Sequence, residues 1–570
     1  MTTYPPPNDF VPADLDGSDW GQIEPLYRAL IERELKCAGC LSQLLIDRSE
    51  LDAAASEAQA NIYIRMTCHT DDEAASKAYL DYVEHVEPKL KEVSFQLDRR
   101  IVQCPFVDDL DQERYGVYLR NLDADVKLFR EENIPLQTED SKLGQQYDEI
   151  NGAMMVDFQG EERTMPQMAR FVQVTDRSVR ESAWTAIAQR RYAEHDRIDD
   201  LFDQMIKSRH QVAVNAGHEN FMEYSFASMH RFDYTPADCQ QFHQAVREIC
   251  VPLYHQLNTE RTEALGVDSL RPWDLDVDVQ GRDPLRPFET ADELVERTSA
   301  LFHRMDGSLG TMFDSLRTGD CLDLESRKGK APGGYQYDRD RRRVPFIFMN
   351  AAGLQRDLET MVHEAGHAFH AMLSRDEPLV AYRTHFLPIE FAEVASMSME
   401  LLAHPYLDEF YDPDEANRSR RTHLEGIVRS LSWIATIDAF QHWIYTHPDH
   451  TREQRDIYWL ELDAMYGPNV DWSGFEDQRA KQWHRQLHLF NVPFYYIEYG
   501  IAQLGALQMW MQYRDDPAKA IGNYRKAMTL GGSRPLPELF EAAELTFDFG
   551  PQEMGRLIGE VRTELDALPA

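Results

Sequence analysis

Met361-Val362-His363-Glu364-Ala365-Gly366-His367-Ala368-Phe369-His370 is the stretch around which this chain is organised. Residues four apart on a helix are rotated by only about 40°, so the imidazoles of His363 and His367 can reach one metal ion. Glu364 lies between them, and H-E-x-x-H is the pattern in which the carboxylate works on a metal-activated water instead of binding the metal. Five residues recur by chance, so a third ligand and a substrate cleft must come from elsewhere in the chain. His370 continues the same face, since i, i+4 and i+7 span only about 60° of arc. Three ligands from one straight helix suit a tetrahedral ion poorly, which leaves His370 as a supporting or substrate-facing group. Asn350 is placed to N-cap this helix, which then runs to about Leu373.

Working outward, the stretch Pro388-Ile389-Glu390-Phe391-Ala392-Glu393-Val394-Ala395-Ser396-Met397-Ser398-Met399-Glu400 opens with a helix-compatible proline. It carries Glu390, Glu393 and Glu400 on one face, at i, i+3 and i+10. Carboxylates on a mostly apolar helix are costly to bury unless a cation, or a ligating imidazole that needs its other N–H held, is the partner. On the other side, Gly333 and Gly334 precede Tyr335-Gln336-Tyr337, a charged turn spans Asp338 to Arg343, and Val344-Pro345-Phe346-Ile347-Phe348-Met349 closes a short sheet. An edge strand at that position can pair with an extended peptide through its main chain. Arg341-Arg342-Arg343 reads as a solvated hairpin turn, with capture of a peptide carboxylate as its other use.

The rest of the chain is predominantly helical. Leu26, Leu30 and Leu35, then Tyr79, Tyr82, Val83 and Val86, recur at three and four between Trp20 and Arg100. Further helical runs cover Asp111 to Glu131, Val179 to Val214 and Ala291 to Met312, while Met154 to Met165 reads as a small β-hairpin. A chain of 570 residues exceeds one ordinary core. The predicted division is an N-terminal helical domain over 1–195, carrying the hairpin, and a catalytic domain over 196–570. The first dozen residues, with Pro5, Pro6 and Pro7, read as a loose end.

Net charge is −39, from 59 Lys and Arg against 98 Asp and Glu, which argues against a nucleic-acid partner. No window is apolar enough for a membrane span, and the first residues lack a signal-peptide pattern, so the expected location is cytoplasmic. Seven cysteines at irregular spacing do not form a disulfide framework. Cys37-Ala38-Gly39-Cys40 is a C-x-x-C with no second pair, and it reads as two thiols on a helix face.

Pro345-Phe346-Ile347-Phe348, His363 to His370, and Phe391-Ala392-Glu393-Val394-Ala395-Ser396-Met397 together resemble the oligoendopeptidase F branch of the thimet oligopeptidase family. Asp438-Ala439-Phe440-Gln441-His442-Trp443-Ile444-Tyr445 and Asn491-Val492-Pro493-Phe494-Tyr495-Tyr496-Ile497-Glu498-Tyr499 extend the resemblance over roughly residues 200 to 560. The resemblance implies a multi-helix body around a deep channel, with the small sheet next to the zinc helix. It implies one zinc ion on His363, His367 and Glu393, with Glu364 as general base, and His488, Tyr496 and Tyr499 as groups that serve the reaction from the C-terminal part. The family pattern has a glycine-rich approach to those tyrosines where this chain has Asn491-Val492-Pro493, which leaves the register of His488, and of Tyr495 against Tyr496, open. The implied activity is zinc-dependent cleavage of internal bonds in short peptides. A zinc carboxypeptidase of related fold, a helical scaffold with a vestigial site, and a thiol redox protein using Cys37 and Cys40 are the rivals.

Overall fold

The helical periodicity is realised along most of the chain. The computed structural model describes residues 10–569, so the stretch around Pro5 lies outside the described residues. Within the expected loose end, Val11 is buried in a hydrophobic core and the carbonyl of Pro12 accepts from Arg341. The helices Trp20–Glu32, Ala38–Cys68, Glu73–His85, Glu87–Val102 and Gln112–Leu128 follow. Asp19 and Asp72 cap the first and third of these by accepting backbone N–H groups. Ile23, Tyr27, Leu30, Leu44, Leu97 and Ile101 interlock beneath them.

Two short sheets interrupt the helices. β1 (Met155–Phe158) and β2 (Glu161–Thr164) form the expected hairpin. Its two turn residues, Gln159 and Gly160, have φ of 54° and 81°, the sign that a two-residue turn between right-twisted strands requires. β3 (Leu322–Glu325), β4 (Tyr335–Arg339) and β5 (Val344–Ala351) form a sheet of order β3-β5-β4. β5 is antiparallel to β4 and parallel to β3. Being central, it is buried through Phe346, Ile347, Phe348 and Met349, whereas every residue of the edge strand β4 keeps part of its surface exposed.

The chain groups into two compact units. One comprises the residues up to Lys127, Leu285–Ser419 and Ala502–Phe547; the other comprises Leu128–Pro284, Arg420–Ile501 and the residues from Asp548 onward. The residue 195/196 division falls at the start of the helix His195–Asn215, within Leu128–Pro284.

In the first unit, the sheet is fastened to the helix Ala38–Cys68. The hydroxyls of Thr67 and Tyr335 are 2.6 Å apart. The predicted solvated turn is instead tied down: Arg342 pairs with Glu57 at 2.6 Å, Arg343 with Glu50 at 3.1 Å, and Arg341 donates to the Leu15 and Pro12 carbonyls. Three guanidinium groups so engaged hold the hairpin in place, which also removes them as a carboxylate trap. Asn350 does not cap a helix. It lies in β5, its amide donating to the carbonyls of Ala331 and Gly333, and the helix begins later, over Gln355–Leu373. Asp357 accepts from the N–H groups of Ala352 and Leu354 and so closes that helix start from inside its first turn.

In the second unit, buried charges are grouped. Asp199 receives Arg455 at 3.0 Å, Lys481 at 2.8 Å and His484 at 3.2 Å, a set that leaves no buried charge of this cluster unopposed.

Candidate functional site

In the first unit, the helices Gln355–Leu373 and Ile389–Leu402 bring three donors together. His363 Nε2 and His367 Nε2 lie 3.4 and 3.6 Å from Glu393 Oε2, and the ligand atoms of the three residues all fall within 4.8 Å of one another. The approach depends on Gly366. A Cβ at that position would sit 2.5 Å from Ser396 Cα and 2.7 Å from the Ala395 carbonyl oxygen, inside any permitted contact. A side chain there would push the two helices apart and carry Glu393 away from the imidazoles.

The surroundings orient each donor. His363 Nδ1 donates to Glu400 Oε1 at 2.6 Å, and the His367 ring donates to the Ala392 carbonyl, so both rings turn a lone pair on Nε2 toward Glu393. The Ser396 hydroxyl donates to Glu393 Oε2 at 2.9 Å. Lone pairs facing a carboxylate repel it unless positive charge lies between, either a proton or a metal ion. Burial alone would push the His363 imidazole down, yet its bond to Glu400 and the carboxylates of Glu400, Glu393 and Glu364 raise it to about 9. Burial and the charge on His363 push His367 down to about 3. Two imidazole nitrogens and one carboxylate oxygen, each held from behind, are a donor set and spacing that fit zinc.

Glu364 is buried beside this group. Its carboxyl is pushed up to about 7, chiefly by burial, against the pull of His363 and a backbone hydrogen bond from Gln336 of β4. That bond ties the carboxylate to the edge strand. Glu390 is also buried on the second helix but does not belong to the group. His370 does not face substrate: it is 2% exposed and stands edge-on to Phe391, ring centres 5.8 Å apart.

His488, Tyr496 and Tyr499 lie in the second unit and pack together. The ring of His488 is 4.8 Å from Tyr496 and 6.0 Å from both Tyr495 and Tyr499. Tyr496 opens the helix Tyr496–Asp515, with Tyr499 one turn on and 5.5 Å away. Two residues outside the motifs control His488. Trp433 Nε1–H donates to Gln486 Oε1 at 2.8 Å, and an indole can only donate, so the amide turns its NH₂ to His488 Nδ1 at 2.6 Å. With Nδ1 accepting, the proton of the neutral ring sits on Nε2. Burial pushes the imidazole below its ordinary value, in keeping with a neutral ring.

The approach to the tyrosines is built without glycine. Phe494 adopts φ of +67°, a conformation that favours glycine, and its backbone is clamped. The Phe494 N–H donates to Gln441 Oε1 at 2.5 Å, and its carbonyl accepts from Arg231 at 2.6 Å. The same guanidinium pairs with Glu498 at 2.7 Å.

A second group of metal-ligand types occurs in this unit. Cys239, Asp438 and His442 also fall within 4.8 Å of one another, all buried. Here Asp438 Oδ2 already accepts from His243 Nε2 at 2.7 Å and lies 3.3 Å from His442 Nε2. Burial would raise the Asp438 carboxyl, but His442 and His243 hold it well below its ordinary value, while burial keeps His243 lowered despite Asp438. The arrangement is a buried carboxylate between two imidazoles, closed to solvent.

The sequence model of peptidase family M3 matches residues 170–549, and that of the M3 N-terminal domain matches residues 10–129. The chain belongs to peptidase family M3. Within this family of metallopeptidases it falls in the oligoendopeptidase F branch. It is 20% identical to the group B oligopeptidase PepB of Streptococcus agalactiae over 81% of this chain and 78% of that protein. It is 25% identical to the oligopeptidase PepF of Bacillus subtilis over 42% of this chain and 38% of that protein. The match to the oligoendopeptidase F homolog of Borreliella burgdorferi, at 23% identity, covers 38% of this chain and 37% of that one. Among solved structures, PZ peptidase A with an inhibitor superposes with a TM-score of 0.88 at 27% identity, covering 96% of this chain and 98% of the other. Oligoendopeptidase F from Enterococcus faecium, 16% identical, shares the fold with a TM-score of 0.65 over 96% and 97% of the two chains. Among the described residues, no helix of this M3 peptidase family member is long and apolar enough to cross a membrane.

Proposed function

We propose that this chain hydrolyses internal bonds of short peptides, with one zinc ion held by His363, His367 and Glu393 and with Glu364 as general base. The grouping of two back-supported imidazoles with a buried carboxylate, next to Glu364 on the same helix, carries the reading. Zinc bound there would supply Lewis acidity at the scissile carbonyl and make water a nucleophile near neutral pH. Glu364 takes a proton from the attacking water and delivers it to the leaving amine. The Gln336 N–H keeps its carboxylate aimed. The exposed edge of β4 offers main-chain groups to an extended peptide, which gives affinity with little side-chain demand.

As the family resemblance implies, His488, Tyr496 and Tyr499 donate hydrogen bonds to the developing oxyanion. An imidazole protonated on Nε2 is suited to that role. Removal of one such donor costs about 2.7–4 kcal/mol of transition-state stabilisation. The names oligopeptidase and oligoendopeptidase F among the relatives favour internal cleavage of short peptides over carboxypeptidase action. No nucleic-acid partner is proposed.

The test is digestion of quenched peptides of graded length by wild type and Glu364→Gln, with chelation and zinc add-back. Glu364→Gln is expected to lower kcat/KM by about 10²–10⁴-fold. Undiminished hydrolysis would sink the assignment, and a ladder of products shortened one residue at a time from the C-terminus would turn it to carboxypeptidase action.

A further inference from the structure

The C-x-x-C motif lies outside everything assigned so far, and its geometry differs from the sequence reading. Cys37 is not on a helix face. It is the N-cap of the helix Ala38–Cys68, in extended conformation, and its Sγ accepts from the Cys40 N–H at 3.3 Å. The two sulfurs are 2.9 Å apart, in direct contact. Cys37 is exposed and Cys40 half-buried, whereas Cys68, Cys104, Cys239, Cys250 and Cys321 are all buried.

The support beneath the pair is tied down by charged side chains. The segment that leads into it is held by Arg33, which pairs with Asp47 at 2.6 Å, and by Arg100, whose guanidinium donates to the carbonyls of Leu30, Ile31 and Arg33. The chain is therefore fixed before Cys37, and Cys40 is fixed within the first helical turn. Two sulfurs in contact on such a support can join without displacing either flanking element.

We propose that Cys37 and Cys40 form a redox-active dithiol that exchanges with low-molecular-weight disulfides and closes into an intrachain disulfide. One thiolate attacks a sulfur of the disulfide RSSR, forming a mixed disulfide and expelling RS⁻. The second thiol then loses its proton and attacks the protein sulfur of that mixed disulfide, forming the Cys37–Cys40 bond and expelling the second RS⁻. The protein gives up two electrons and two protons, and RSSR leaves as two RSH. Helix N-termini and C-x-x-C pairs stabilise thiolate, and the hydrogen bond from Cys37 holds the Cys40 thiol below its ordinary value. Burial acts the other way on other cysteines, pushing Cys68 up to about 12 and raising Cys250 and Cys321. Oxidation is thereby directed to one pair.

The experiment incubates the reduced full chain with 2-hydroxyethyl disulfide, quenches in acid, alkylates under denaturing conditions and maps the peptides by mass. The expected result is a peptide carrying Cys37 and Cys40 that takes no alkyl group, is restored by dithiothreitol, and forms several-fold faster in the folded chain than in urea. Cys37→Ser and Cys40→Ser should each stop at the mixed disulfide on the remaining cysteine. Full alkylation of both cysteines after incubation, or equal rates in folded and urea-unfolded chain, would overturn the proposal.

Discussion

Two clusters in this molecule use nearly the same residue types and differ in what surrounds them. Beside the buried Glu393, His363 and His367 keep part of their imidazole surface exposed, with side chains 24% and 19% accessible, and each ring is held from its far side so that Nε2 stays available. Cys239, Asp438 and His442 are buried, and one oxygen of the carboxylate between them already accepts from His243. The difference teaches that ligand-type residues within reach of each other do not define a metal centre. What decides is whether each donor is oriented from behind and a face is left open for a substrate.

The sharpest test of that contrast is metal content. Glu393→Gln should lower bound zinc from about one equivalent to none, measured by elemental analysis after gel filtration, while Asp438→Asn leaves it at about one. Loss of zinc in Asp438→Asn alone would invert the comparison. The buried cluster should instead report in stability. Asp438→Asn or His243→Leu breaks a buried charged hydrogen bond and should cost about 3–5 kcal/mol in urea unfolding. Glu400→Gln, which leaves the ligand set intact but loosens the hold on His363, should weaken zinc binding by about 10–100-fold in competition with a chelator.

The smallest effect is one of pH. His243 is kept neutral in the fold by burial, its pKa lowered from the ordinary value, so the unfolded chain takes up that proton first. The stability that His243 contributes is full above about 6.5 and is lost as the pH falls from there through the folded pKa. Urea midpoints should drop between pH 7 and pH 5, and His243→Leu should flatten that drop while lowering stability throughout. Asp438, held below its ordinary value, adds a loss that begins only below about 3.9.

Much of the first cluster was legible in the sequence because its spacing is short-range. His363 and His367 share a face by helical period, and Glu390, Glu393 and Glu400 share one on the next helix, so local periodicity offered the candidate donors and the family resemblance singled out Glu393. The hairpin at Gln159-Gly160 and the pairing of β4 with β5 were legible for the same reason. β3 was not, since Leu322–Glu325 alternates over only four residues and pairs with a strand over twenty residues later. Asn350 misled because a good capping residue can equally bind backbone carbonyls from within a strand. The Arg341–Arg343 run misled because its acceptors include Glu57 and Glu50, in a helix nearly three hundred residues earlier, and the carbonyls of Leu15 and Pro12, earlier still. Trp433 and Gln486 could not be read at all: they are 53 positions apart, and neither residue type announces a role until the donor and acceptor are seen face to face. The C-x-x-C was seen, but its position at a helix start instead of on a helix face required the backbone.

Gly366 gives the cluster of His363, His367 and Glu393 a further meaning. The dimension that matters there is the gap between two backbones, and it is set by the absence of one methyl group. A designer who grafted the five residues of H-E-x-x-H onto another helix would copy two imidazoles and a base without copying the clearance that admits Glu393. The transplantable unit is the crossing of two helices, and an alanine at the crossing point would undo it with every ligand still in place.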